Sequence, residues 1–164
     1  MTEFTHLTPS GEVHMVDVAG KEITVRRAIA ETEVTMSPST ADALFGGGVP
    51  KGDALASSRL AGIMGAKATA SLIPLCHPIP IDGVEVTIDR IASGARIQAT
   101  VTTAARTGVE MEAMTAVSVA ALALYDMVKG LDRGVEIGPT RLLSKEGGRS
   151  GHWTRGGSDT GGEN

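Results

Sequence analysis

Four stretches of the sequence hold side chains whose types and spacing could do chemistry. Asp126 and Lys129 stand three residues apart, which on a helix sets a carboxylate beside an ammonium. In a partly desolvated cleft the pair could keep Lys129 charged for phosphate binding, or tune it as an acid or base. On an open surface the same pair is a solvated contact worth roughly a few tenths of a kcal/mol. Glu110-Met111-Glu112 places two carboxylates where a helix begins. Its dipole favours negative charge there, so these are either site residues or ordinary N-terminal charge placement. Leu75-Cys76-His77-Pro78 lies between Pro74 and Pro80. The prolines restrict themselves and the residues before them, so His77 sits in a stiff loop, either as a positioned acid or donor or as part of a connector. Cys76 and His77 do not form a nucleophilic pair, because neighbours in an extended segment point apart. The fourth stretch, Gly46-Gly47-Gly48-Val49-Pro50-Lys51-Gly52-Asp53, is no Walker loop: Lys51-Gly52-Asp53 stands where Gly-Lys-Ser/Thr is required. It reads as a mobile loop carrying Lys51 over a ligand, or as a plain connector. No metal centre and no cofactor are expected. Cys76 is the single cysteine, and the other histidines, His6, His14 and His152, lie in or near the chain ends.

The elements that must hold these groups can be read from periodicity. Val84, Val86 and Ile88 alternate with polar residues, as do Ile97, Ala99 and Val101 after the turn Ala92-Ser93-Gly94. Period-two patterns around a Gly-containing turn predict an antiparallel hairpin with one face buried. A helix capped by Asp53 is predicted before it, with Leu55, Leu60, Ile63 and Met64 at helical spacing up to Pro74. A second helix is predicted from Glu112 to Lys129, ending near Gly130. Strands are expected through Ile23-Thr24-Val25, extending toward Val34, and from Val135 to Leu143, although Val25 to Glu31 also fits a helix. The order is then βαββαβ. This is an α+β, ferredoxin-like pattern in which helices pack on one face of an antiparallel sheet. Residues 14–146 form one expected domain. Residues 1–13 are polar and aperiodic, and 147–164 form a Gly-rich tail with too few apolar groups to offset its ordering entropy.

Two problems attach to the second helix. Ala113, Ala116, Val117, Ala120, Ala121, Ala123, Leu124, Met127 and Val128 spread its apolar surface well beyond the roughly 100° stripe of a surface helix. One sheet cannot cover that width, which implies a second subunit. Glu112 and Asp126 also lie about 21 Å apart along a straight helix. If both serve one small-molecule site, a second chain or a later helix start must close the gap.

Composition narrows the classes further. A net charge of −4 argues against a nucleic-acid partner. No uninterrupted apolar run approaches the roughly 18 residues of a membrane span, and Met1-Thr2-Glu3-Phe4 lacks the features of a signal peptide. The expectation is a cytoplasmic protein. Its core is aliphatic, since Phe4, Phe45, Tyr125 and Trp153 are the whole aromatic complement.

Taken together, the segments resemble the cyclic pyranopterin monophosphate synthase family, molybdenum-cofactor biosynthesis protein C. The longest matching stretches are Leu72-Ile73-Pro74-Leu75-Cys76-His77-Pro78 and Arg106-Thr107-Gly108-Val109-Glu110-Met111-Glu112-Ala113. Met15-Val16-Asp17-Val18, Lys51-Gly52-Asp53, Thr115 to Leu122, Tyr125-Asp126-Met127 with Lys129, and Asp132-Arg133-Gly134 also match. Coverage runs from about His6 to Gly151. The resemblance implies a lyase that converts 3',8-cyclo-7,8-dihydroguanosine 5'-triphosphate to cyclic pyranopterin monophosphate and pyrophosphate. It implies a ferredoxin-like homohexamer, a trimer of dimers with sites at the dimer interface. By position, Asp126 matches the principal acid/base residue and Lys129 its partner, with Lys51, His77 and Glu112 completing the catalytic set. Leu75, Cys76, His77, Glu110, Met111 and Glu112 match substrate-binding segments, joined by Lys67 and Arg26.

Overall fold

A computed structural model describes residues 10–149 and 151–156. The alternating run of the sequence forms the hairpin it predicts, β2 (Gly83–Ile91) and β3 (Gly94–Ala105). β3 pairs in turn with β1 (Thr24–Thr35), a strand along its whole length. The helical alternative for Val25 to Glu31 loses because this segment is hydrogen-bonded on both sides, to β3 and to β5 (Arg141–Glu146). Tertiary pairing outweighs local propensity there. The last predicted strand is broken. A two-residue strand β4 (Glu136–Ile137) pairs with the end of β1, and β5 begins after Gly138-Pro139-Thr140. Pro139 has no N–H to give a ladder, which forces the interruption. Trp153–Thr154 forms a further short strand, β6, on β5.

The strand order is β2-β3-β1-β5-β6, with every pairing antiparallel. α2 (Ala54–Leu72) links β1 to β2, and α3 (Glu110–Val128) links β3 to β5. This is the ferredoxin-like split arrangement, with β3 set between β1 and β2. Both helices pack on one face of the sheet, over Ala28, Ala30, Val34, Ile97, Ala99, Val101, Val86 and Ile88. The other face is polar, with Arg96 paired to Glu33 at 3.0 Å and Arg141 to Glu31 at 2.9 Å. Asp53 caps α2 as expected, accepting from the Ala56 N–H at 2.8 Å. A short helix, α1 (Pro38–Phe45), was not expected from the sequence. Ser37 caps it, Pro38 occupies its first turn, and it buries little besides Ala41 and Leu44.

Most of the wide apolar surface of α3 is covered within the chain, with Ala123 and Met127 partly buried. The sheet takes one side, and α2 lies along the other. The close approach works because α2 presents glycine: a Cβ at Gly65 would stand 2.8 Å from Val119 Cβ, and one at Gly62 3.1 Å from Ala120 Cβ. The inference from width to a second subunit is therefore corrected, since two small-residue helices supply each other's second cover. α3 also has the length and apolar content of a membrane span, which a count of uninterrupted runs missed. Ala113, Ala116, Val117, Ala120, Ala121, Leu124 and Val128 are all fully buried in the protein, the pattern of a core helix.

Candidate active site

α3 carries a chemical group at each end, and its continuity keeps them apart. At the C-terminal end, Asp126 and Lys129 occupy adjacent turns, and Lys129 Nζ lies 2.5 Å from Asp126 Oδ1. The loop after α1 brings in Lys51, whose Nζ donates to Asp126 Oδ2 at 2.9 Å and to the Asp126 carbonyl at 2.7 Å. Two ammonium groups thus hold one carboxylate from both sides, all three half-exposed. Lys129 and then Lys51 hold the Asp126 carboxyl down at about 2, and Asp126 in turn raises Lys129. At neutral pH the cluster is two cations around one anion, with solvent access. The Asp126–Lys129 pair foreseen from spacing is joined by Lys51 into a trio.

The N-terminal end opens onto a cavity. Val16, Val18, Lys21, Leu75, Cys76, His77, Thr107, Gly108, Glu110, Met111 and Glu112 line a cavity of about 410 Å³. Glu112 is only 4% exposed, and burial pushes its carboxyl above the usual range, with a further push from the charge of Glu110. Burial, then the charge of Glu112, raises the Cys76 thiol, so the thiolate is disfavoured. His77 Nε2 donates to the Val16 carbonyl at 2.8 Å. A carbonyl only accepts, so Nε2 carries the proton of this hydrogen bond. The proline-rich stretch therefore does position its imidazole, against a segment some sixty residues earlier in the chain.

Two cations near this cavity were not foreseen. Lys145 on β5 lies 3.2 Å from Glu110 Oε1, and Lys21 lines the cavity wall. Lys21 also lines a second cavity of about 430 Å³ with Arg26, Thr24, Gly148 and Arg149. Arg26 donates to the Ala105 and Arg106 carbonyls at 3.0 and 3.3 Å, which aims its guanidinium toward Gly148. Nothing in the periodicity of the sequence marks Lys21 or Lys145, because their proximity to Glu110 depends on how β5 and the N-terminal segment cross α3. Val16 and Thr107 stand inside quoted motif strings and were findable there. Lys67 stays on the exposed face of α2 and lines neither cavity.

Leu75, Cys76, His77, Glu110, Met111 and Glu112 thus come together, as do Lys51, Asp126 and Lys129. The two sets do not meet within one chain. α3 begins at Glu110 and runs unbroken to Val128, so a later helix start does not close the gap of about 21 Å. Among the described residues no group of three or more His, Cys, Asp or Glu side chains is arranged to hold a metal ion.

A family model described as the MoaC family matches residues 15–148. A cyclic pyranopterin monophosphate synthase from Nostoc sp. is 56% identical over 151 residues, covering 91% of this chain and 90% of the relative. The protein of that name from Streptomyces coelicolor is 54% identical over 151 residues, covering 92% and 89%. Its namesake from Dinoroseobacter shibae is 55% identical over 155 residues, covering 93% and 98%.

Proposed function

This chain belongs to the MoaC family, and from that premise we propose that it is a cyclic pyranopterin monophosphate synthase of molybdenum-cofactor biosynthesis. It is a lyase that converts 3',8-cyclo-7,8-dihydroguanosine 5'-triphosphate to cyclic pyranopterin monophosphate and releases pyrophosphate. The observation that supports this most directly is the Lys51–Asp126–Lys129 trio at the end of α3.

Closing the cyclic phosphate requires a sugar hydroxyl to attack the α-phosphorus while pyrophosphate departs. Negative charge then spreads over the equatorial and leaving oxygens, and fixed cations are the means of stabilising it. Lys51 and Lys129 take that role. Asp126, kept ionised between them, holds both ammoniums in place, and its acid/base role is carried over from the family position it matches. Rebuilding the purine-derived ring needs several proton transfers, which fall to Glu112 and His77 in the cavity at the other end. Glu112, with its raised pKa, carries a proton more readily than an exposed carboxyl would. Leu75, Cys76, Met111 and Glu110 line the space for the substrate's ring system, and Arg26 with Lys21 suits its phosphates. A nucleotide-derived substrate of this kind is in keeping with a cytoplasmic enzyme whose catalytic domain is residues 14–146.

The two ends of α3 serve one site, in this reading, through a homo-oligomer. One subunit supplies Glu112 and His77, and its neighbour supplies Lys51, Asp126 and Lys129. The helical layer offers exposed apolar side chains for such a contact, with Leu60, Met64 and Leu122 each about 60% exposed. The assembly proposed is a hexamer, a trimer of dimers with sites at the dimer interface. The deciding experiment is incubation with the cyclised dihydronucleotide while following pyrophosphate. Stoichiometric release with appearance of the cyclic phosphate is expected; binding without release would leave a ferredoxin-like ligand-binding module instead.

A further inference from the structure

The trio that holds Asp126 depends on the loop between α1 and α2, anchored in the core by Leu44, Val49 and Ala54. Lys51 arrives from α1, which buries only Thr40, Ala41 and Leu44, and from Val49 just before it. The start of α1 is held by the Met36 N–H, which donates to the Ser93 carbonyl at 3.0 Å, and by a side chain from just beyond α3. Asp132 follows Lys129 by three residues, and its own N–H bonds back to the Val128 carbonyl at 3.1 Å, so it is rigidly continuous with the end of α3. Its carboxylate accepts from the Ser37 backbone N–H at 3.0 Å and the Thr40 hydroxyl at 3.5 Å through Oδ2, and from the Gly134 N–H at 2.8 Å through Oδ1. Ser37 is the N-cap of α1. One side chain therefore clamps the first turn of α1 to the segment that bears Asp126 and Lys129.

We propose that Asp132 is a positioning residue for the reaction: it docks α1 on the end of α3 and so delivers Lys51 to Asp126. The chain from clamp to Lys51 is short and internally braced. Gly46 N–H bonds to the Asp42 carbonyl at 2.8 Å, Gly48 N–H to the Ala43 carbonyl at 2.7 Å and Gly52 N–H to the Val49 carbonyl at 3.0 Å. A rotation of α1 at its capped end is thus carried into the Lys51 loop. The second polar tie on α1, Arg90 to Asp42 at 2.5 Å, is well exposed and reaches β2, so it cannot register α1 against α3. The three hydrogen bonds to its carboxylate also keep Asp132 ionised, its pKa lowered first by Ser37 and then by Gly134.

The proposal rests on the reading of Lys51 as a site residue, and the test separates the two. Hydrogen exchange on Asp132→Ala should show residues 46–53 exchanging about tenfold faster, while the amides of 113–125 in α3 stay protected. Its kcat should fall about tenfold or more with KM little changed, because Lys51 is misplaced at the transition state. Asp132→Asn keeps the shape but turns an N–H against one of its donors, and should show the same changes in smaller size. It stands in if the alanine variant does not fold. Unchanged exchange in residues 46–53, or faster exchange spread equally through α3, overturns the positioning role. So does wild-type turnover in Asp132→Ala when Lys51→Ala is impaired. If Lys51→Ala itself turns over normally, the site reading fails, and the exchange result still decides whether Asp132 docks the loop.

Discussion

The two ends of α3 carry the same functional group shifted in opposite directions. Glu112, in the first turn, is buried, and desolvation favours its protonated form. Asp126, near the last turn, is half-exposed and gripped by two ammoniums, which favour its ionised form. The helix dipole alone predicts the reverse, since the N-terminus favours negative charge and the C-terminus disfavours it. Local burial and contact ion pairing outweigh the dipole at both ends. In the proposed reading the difference divides labour on one rigid rod: a charged, wet end suited to phosphate, and a buried carboxyl suited to moving protons.

The charged end should be the more sensitive to substitution. Asp126→Asn or Lys129→Ala should lower single-turnover conversion by about 10²–10⁴-fold. Both should fold normally, because the ion pairs they break are exposed. Turnover near the wild-type rate in either variant would remove the charged end from the site.

Whether the ends belong to one site is answered by mixing subunits. Glu112→Ala and Asp126→Ala proteins should each be inactive alone. After subunit exchange, mixed dimers hold one intact site, and about a quarter of wild-type activity should return. No recovery, with exchange confirmed by mass, would confine each site to a single chain.

Titration sharpens the contrast with opposite signs. Glu112 has a raised folded pKa, so the folded state holds more protons than the unfolded one above the ordinary carboxyl pKa of about 4.3. Its contribution to stability therefore declines as pH rises from there toward the folded pKa. Glu112→Gln should lose less melting temperature than wild type between pH 4 and pH 7. Asp126, lowered to about 2, contributes stability that is lost as pH falls from about 4 toward that value. Asp126→Asn should flatten the acid limb alone. Equal slopes in wild type and Glu112→Gln would refute the burial argument.

The smallest effect is expected at Cys76. Its thiol is held protonated beside Glu112, and the reaction needs no sulfur nucleophile. Cys76→Ser should keep most of its turnover, and a stable covalent adduct trapped on the wild-type thiol would contradict this.

The sequence by itself was enough for the parts governed by local rules. The alternation of Val84 to Val101 determined the hairpin, Asp53 the start of α2, and the small apolar residues of 113–128 a buried helix. The three-residue step from Asp126 to Lys129 determined that they meet. It also determined that Glu112 cannot reach them along a straight helix. The tertiary structure decided what depends on contacts distant in the chain. The double-sided pairing of β1 made a strand of a segment that also fits a helix, and the glycines of α2 covered the face of α3 that had implied a second subunit. Only the path of the loop after α1 placed Lys51 on Asp126, and only the register of β5 placed Lys145 on Glu110. Periodicity reports which face of an element is apolar. It does not report which element will lie against that face, because that choice is made by shape and pairing among segments far apart in the chain.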